Sequence, residues 1–260
     1  MSDYQHIYLS PHFDDAALSC GGMICAQTRA GARVLIVTLC AGFPDYNHLS
    51  EFARFQHNWW GNPPDPVGQR RREDACAASI LGAELRYLDS LDAIYRRHPV
   101  TDETLYNSDE EIFGPLHSAD VLSAAAMAAA WQETLPLAGA RLYAPLAVGN
   151  HVDHQLARAA AIALAEKGAS VTFYEDFPYA ANADALVRAL ANPAPGGWRA
   201  RHIALTLDEL ERKKQAIACY VSQNPVIFRH GPGMDEQVAE YALRVGEGRP
   251  AERLWDLVIE

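Results

Sequence analysis

The chain reads as an α/β protein, with one mostly parallel sheet covered by helices on both faces. Three observations predict this. Short apolar or β-branched runs alternate with helical stretches along the first 176 residues, which is the signature of strand–helix–strand units. The run at 33–40, Arg-Val-Leu-Ile-Val-Thr-Leu-Cys, has the composition of a central parallel strand. Two polar clusters, Ser10-Pro11-His12-Phe13-Asp14-Asp15 and His151-Val152-Asp153-His154, each follow such a run, and open α/β sheets build their sites at the carboxyl ends of strands.

Taken in order, residues 5–10 form the first strand, around Ile7-Tyr8-Leu9, and a helix follows at 15–30, ending at Gly31. Gly21-Gly22 inside that helix cost about 1 kcal/mol each against alanine, which close packing of the helix on the sheet would offset. After the strand at 33–40 come a helix at 69–82, closed by Gly82, and a strand at 84–88. The alanine-rich stretch 118–134 is a helix, 141–146 a strand, 153–167 a helix and 170–175 a strand. Beyond residue 176 the pattern weakens. A Pro/Asn/Gly-rich loop runs to about 199, then a strand-like Ile203-Ala204-Leu205, a helix at 207–221 and a helix-like stretch at 234–245. The alternation predicts a Rossmann-like sheet with right-handed connections. No repeat or flexible linker divides the chain, so residues 1–260 are expected to form a single domain. The segments 41–68, with Trp59-Trp60, and 92–117, with Tyr95 and Tyr106, are expected to be long loops. Loops of that length are functional or disordered; their aromatics suit either a substrate or simple packing.

Composition narrows the function. A formal charge of −11 argues against a nucleic-acid partner, since that affinity rests on Lys and Arg contacts to phosphate. No apolar run approaches the roughly 20 residues of a membrane helix, and the first six residues lack a signal-peptide pattern, so a cytoplasmic protein is the default. Five cysteines, odd in number and scattered at 20, 25, 40, 76 and 219, read as reduced thiols filling the core. The stretch 234–245 and Leu254-Trp255 are left to pack on the core or on a second copy, so a homo-oligomer stays open.

The two clusters carry the chemistry. His12 and Asp15 lie where a strand gives way to a helix and can converge with His154 into a His/Asp/His set, the kind of site at which zinc keeps three protein ligands and a water. Asp14, beside a ligand but not one itself, is placed to take a proton from that water. His151 can stabilise a developing oxyanion or protonate a leaving group, and Asp153 can orient an imidazole. Each motif alone is weak, because Asp14 or Asp15 would serve equally as a helix N-cap. Two such clusters after two strands of one sheet are far less ordinary. No G-x-G-x-x-G follows the first strand, which disfavours a dinucleotide-binding protein.

Pro11-His12-Phe13-Asp14-Asp15-Ala16, with Leu18 and Gly21-Gly22, resembles the P-H-x-D-D motif of the LmbE-like, or PIG-L, family of zinc-dependent N-acetylglucosaminyl deacetylases. His151-Val152-Asp153-His154 resembles its H-x-D-H motif, and Arg70-x-x-Glu73 with Ala77 and Leu81-Gly82 resembles its R-x-x-E helix. The resemblance implies His12, Asp15 and His154 as metal ligands, Asp14 as general base, His151 as the oxyanion-stabilising or acid histidine, and Asp153 as its charge partner. It also implies that Arg70 contacts substrate, against the bland alternative of a surface salt bridge to Glu73 or Asp74, and that Asp92 does so too. Ala16 and Phe13 depart from the commoner Glu and Pro. The implied function is metal-dependent removal of an N-acetyl or other N-acyl group from an amino sugar, a glycoside or a related small molecule. The alternatives are a non-sugar N-acyl substrate, or a metal-retaining binding protein without turnover. The implied cofactor is zinc; the residues do not separate it from Fe(II), Co or Mn.

Overall fold

The computed structural model describes residues 4–191 and 197–258. A seven-stranded sheet forms the centre: β1 (His6–Ser10), β2 (Val34–Thr38), β3 (Glu84–Tyr87), β4 (Arg141–Pro145), β5 (Val171–Tyr174), β6 (Trp198–Ala204) and β7 (Ala251–Leu257), in the order β3-β2-β1-β4-β5-β7-β6. The first five strands are parallel, β7 runs antiparallel to β5, and β6 antiparallel to β7. Each buried strand sends alternate residues to opposite faces. Ile7, Leu9, Leu35, Val37, Leu142, Ala144 and Phe173 join one core, while Tyr8, Val34, Ile36, Tyr143 and Tyr174 join the other.

Helices cover both faces. They are α1 (Asp15–Arg29), α2 (Glu51–Trp59), α3 (Pro66–Leu81), α4 (Asp109–Ile112), α5 (Ala124–Thr134), α6 (Val152–Glu166), α7 (Ala183–Ala191), α8 (Leu207–Ala218), α9 (Asn224–Ile227) and α10 (Met234–Val245). The chain visits β2 and β3 on one side of β1, then crosses to β4 on the other. Strand order therefore reverses between β1 and β4, and a crevice at such a point is where open α/β sheets bind ligands. Register places the two strands side by side, with His6 opposite Arg141 and Tyr8 opposite Tyr143.

Several expectations are corrected. The 41–68 loop contains α2, begun by Ser50, whose hydroxyl accepts the Ala53 amide. The 118–134 helix starts only at Ala124, behind the Ser123 cap. The loop expected to about 199 holds α7; its residues 192–196 lie outside the described ones. Ile203-Ala204 is the end of a longer edge strand, and Leu254-Trp255 belongs to β7, paired inside the sheet. Gly21-Gly22 do mark close packing, but against α8 and its neighbours: a Cβ on Gly22 would lie 2.5 Å from Leu205 Cδ1, and one on Gly21 3.0 Å from Lys213 Cγ. The cysteines are not all free thiols. Cys76 of α3 and Cys219, just past α8, form a disulfide with Cα atoms 5.9 Å apart, while Cys20, Cys25 and Cys40 are free and buried. Across 143 residues of sequence no local spacing reveals that pair.

Candidate metal centre and active site

The turn after β1 is held by its own polar groups. Ser10 Oγ donates to the His12 carbonyl (2.6 Å) and accepts the Ala16 amide (3.0 Å), and Asp15 Oδ2 accepts the His12 amide (2.7 Å). Asp14 occupies the N-cap position of α1, but its side chain makes no capping bond. Its carboxylate is buried and turned into the crevice without that local duty. After β4 the chain turns through Gly149 and Asn150, with φ of +90° and +67°. A Cβ on Gly149 would come within 2.6 Å of the Tyr179 ring, so glycine answers both the left-handed backbone and the close approach. The turn delivers His151 to the N-cap of α6 and His154 to its first turn.

The donors meet at Asp15. Its Oδ2 lies 3.4 Å from His12 Nδ1 and 3.3 Å from His154 Nε2. An ion bound tetrahedrally at about 2.0–2.1 Å holds its donors about 3.3–3.4 Å apart. Both imidazoles have a carboxylate on the far nitrogen: His12 Nε2 lies 3.0 Å from Asp153 Oδ2, and His154 Nδ1 lies 2.6 Å from Asp176 Oδ1. Those partners fix a hydrogen on the outer nitrogen and leave the inner one for a metal. His12, His151 and His154 each offer a nitrogen, all within 4.8 Å of one another. His151 is the odd member. Its Nδ1 accepts the Asp153 amide at 3.2 Å, so its Nε2 carries the hydrogen and is a donor rather than a ligand. A second acidic grouping, His12, Asp92 and Asp153, suits a cation less well, because Arg96 already bonds Asp153 and Arg70 stands 3.8 Å from Asp92.

Electrostatics agree. Burial would raise Asp15, yet His154 and His12 outweigh it and hold this carboxyl well below its ordinary range. Burial opposes charge on the two imidazoles, but Asp92, Asp15 and Asp153 push His12 well above its usual value, and Asp15 and Asp176 push His154 up to about 10. The carboxylates thus call for positive charge at the point where the donors converge. His151 goes the other way: burial, and then His12, lower it well below the usual histidine value, so it is neutral. Burial raises Asp14 against the pull of Arg70, which makes it the better proton acceptor. Two imidazoles and one carboxylate fit zinc and several other divalent metals.

Arg70 and Asp92 both reach this crevice. The guanidinium lies 3.8 Å from Asp14 Oδ1 and 3.8 Å from Asp92 Oδ2, 5.1 Å from the Phe13 ring centre and 5.0 Å from that of Trp60. Its Nε is buried with no hydrogen-bond partner. The surface salt bridge is not formed: Glu73 accepts from Ser222, and Asp74 from Thr38 and Tyr220. Asp153 sits 3.9 Å from His151 Nδ1 and 3.0 Å from His12 Nε2, so its carboxylate bonds the His12 imidazole while its charge still acts on His151. Trp60 packs on Arg70 and His57, while Trp59 is half exposed and packs on Phe55 and Arg229. Phe113 and Tyr179 close the rim beside His151, with ring centres 5.3 Å apart for Phe113 and His151 and 5.7 Å for Phe113 and Tyr179.

The sequence leaves open which of Tyr174, Glu175, Asp176 and Tyr179 reaches the pocket, and it does not single out Arg96. Asp176 lies two residues past the end of β5, so the strand-end rule that found the other clusters points to it as well. Arg96 lies in an irregular segment with no such signal.

Comparison with known proteins agrees with the geometry. Residues 7–165 match the family model described as GlcNAc-PI de-N-acetylase, PIG-L. A 2'-N-acetylparomamine deacetylase of Streptomyces fradiae is 34% identical over 190 residues, and the enzyme of the same description from Niallia circulans is 28% identical over 185. Those alignments cover 69% and 66% of this chain but only 59% and 66% of the relatives, so the chain spans about three fifths of their length. The zinc-inhibited form of teicoplanin deacetylase Orf2 superposes with a TM-score of 0.79 at 28% identity, covering 98% of both chains. With the family model spanning more than half its length and both cluster motifs inside that span, this chain belongs to the PIG-L, or GlcNAc-PI de-N-acetylase, family.

Proposed function

We propose that this protein is a metal-dependent hydrolase that removes an N-acyl group, foremost N-acetyl, from the amino sugar of a glycoside. The observation that carries this is the convergence of His12, Asp15 and His154 beside a buried carboxylate, Asp14, that neither caps its helix nor belongs to the donor set. The sugar is favoured by the paromamine and teicoplanin deacetylases among the relatives, and by an aromatic-flanked Arg70 opposite Asp92, a pairing suited to hydroxyl groups. No helix among the described residues is long and apolar enough to cross a membrane.

When bound, a divalent metal at these donors lowers the pKa of a water and polarises an amide carbonyl. Asp14 takes a proton from the attacking water. The neutral His151 donates from Nε2 to the carbonyl oxygen as negative charge grows on it, a role that a preorganised N–H fills without reorganisation. The proton held by Asp14 passes to the nitrogen, the C–N bond breaks, and the amine leaves with the carboxylate as the second product. Arg70 and Asp92 hold the glycan in register.

The test is metal content together with acetate release from N-acetylated aminoglycosides and amino sugars. About one divalent ion per chain, lost in His154→Ala, is the expected result. Asp14→Asn should keep the ion and lose about 10²–10⁴-fold in turnover. Full turnover in Asp14→Asn would exclude it as the base, and no ion in the unmodified protein even after incubation with zinc would overturn the hydrolase.

A further inference from the structure

Arg96 is buried, carries a full charge, and takes no part in the proposed chemistry, yet it is built into the metal centre at one remove. Its Nη1 bonds Asp153 Oδ1 and, at 3.1 Å, the Leu91 carbonyl. Its Nε donates to Asp120 Oδ2 at 2.9 Å, the same oxygen that accepts the Tyr106 hydroxyl at 2.9 Å, and the Tyr106 ring lies 5.2 Å from the guanidinium carbon. The main chain closes around it as well, with the Leu105 amide bonded to the Arg96 carbonyl.

Asp153 is fully enclosed, and its two oxygens divide their work. Oδ1 takes Arg96, while Oδ2 takes the Ala93 amide at 3.1 Å and His12 Nε2 at 3.0 Å. One carboxylate is thus clamped from one side by the 92–120 segment while it holds the outer nitrogen of His12 on the other. We propose that Arg96 is a positioning residue of the metal centre: by pinning Asp153 it sets the plane of the His12 ring and turns Nδ1 toward Asp15. The 92–117 loop, whose aromatics suit either a substrate or simple packing, then also supports a ligand. Without Arg96, Oδ1 loses its guanidinium partner and the carboxylate can turn off His12. An outer partner of this kind is worth about 10–100-fold in metal affinity.

The proposal rests on the metal site proposed above, and the experiment separates the two. Zinc affinity is measured by competition with a chromophoric chelator, with thermal unfolding of the zinc-free proteins alongside. Arg96→Gln and Asp153→Asn should each weaken zinc about 10–100-fold, and the double variant should be no weaker than the worse single one, because both act through the same contact. Arg96→Lys, which keeps a charged donor within reach of Asp153, should recover most of the affinity. A brace that only holds the loop would lower the unfolding temperature and leave zinc affinity unchanged. Unchanged affinity in Arg96→Gln, or losses that multiply in the double variant, overturns the proposal. If Arg96→Gln does not fold, ¹⁵N NMR of the zinc-loaded unmodified protein decides: zinc on His12 Nδ1 with hydrogen on Nε2 is expected, and zinc on Nε2 overturns it. An unmodified protein that binds no zinc overturns the metal site itself and this inference with it.

Discussion

Asp74 shows how far a single buried carboxyl can set the response of this protein to pH. It is 1% exposed, on α3 just beyond Arg70, and accepts the Thr38 hydroxyl at 3.1 Å and the Tyr220 hydroxyl at 2.9 Å. Burial outweighs those two bonds and pushes its pKa up to about 7, against about 3.9 in an unfolded chain. Between those values the folded protein keeps a proton that the unfolded chain has lost. The contribution is fully present below about pH 4, declines as pH rises, and is gone above about pH 7. Asp74→Asn removes the titration while its amide can still accept from Tyr220 and donate to Thr38. Thermal unfolding from pH 5 to 8 should therefore fall more steeply for the unmodified protein than for Asp74→Asn, the curves diverging by a few kcal/mol at most. Parallel curves would mean that Asp74 is ionised throughout. Sequence alone hides this. Arg70, Glu73 and Asp74 look like one polar run, and only the fold sends Arg70 to the crevice, Glu73 to Ser222 and Asp74 to Tyr220. His12, Asp14, Asp15, His151, Asp153 and His154 were legible because each cluster follows a strand end, whereas which imidazole Asp153 and Asp176 each hold had to be found in space.

At the scale of elements, α1 is the piece most tightly fitted to its surroundings. Midway along it, the Gly22 and Met23 amides donate to the carboxylate of Glu252 on β7, at 2.9 and 2.8 Å, and Lys213 of α8 reaches the same carboxylate at 2.8 Å. This contact lets the C-terminal strand and α8 grip the helix that carries Asp15. Gly22→Ala sets two effects against each other. Helix propensity gains about 1 kcal/mol, but a Cβ 2.5 Å from Leu205 Cδ1 and 3.2 Å from Glu252 Oε1 must displace both, and overpacking costs about 1–3 kcal/mol. Packing should win, with net destabilisation of about 1–2 kcal/mol in urea unfolding; a more stable Gly22→Ala would show that the neighbours yield freely. The elements that the sequence revealed share one property. β1 and β2 are almost wholly buried and α1 and α6 mostly so, so hydrophobicity writes their bounds to within about two residues. Those it missed include the short helices α4, α7 and α9, α2, whose nine residues run into the Gly61–Pro66 turn cluster, and β7, which answers to antiparallel partners across the sheet rather than to a helix of its own.

For the whole molecule, the reversal of strand order at β1 and β4 brings together clusters about 140 residues apart, and Asp92 and Asp176 enter from the ends of β3 and β5. One further link spans the molecule in the same way. The Cys76–Cys219 disulfide ties α3, which carries Arg70, to the turn after α8, where Tyr220 and Ser222 hold Asp74 and Glu73. It closes a loop of 143 residues; in the chain-entropy account a crosslink of that span contributes up to about 5 kcal/mol, and native disulfides typically give about 2–4. Opening it should therefore lower the unfolding temperature by roughly 5–12 °C at this chain length. Dithiothreitol and Cys219→Ser should have the same effect, and dithiothreitol should do nothing further to Cys219→Ser. The site itself should survive, because His12, Asp15 and His154 hang on β1, α1 and α6, so metal content at 25 °C should be unchanged while affinity for substrate falls through the contact proposed for Arg70. Thiol counting after denaturation and alkylation decides the premise directly. Three reactive thiols in protein prepared without reductant, against five after reduction, is the expected result; five in both would mean that α3 and α8 are held by packing and by the Asp74 and Glu73 hydrogen bonds alone.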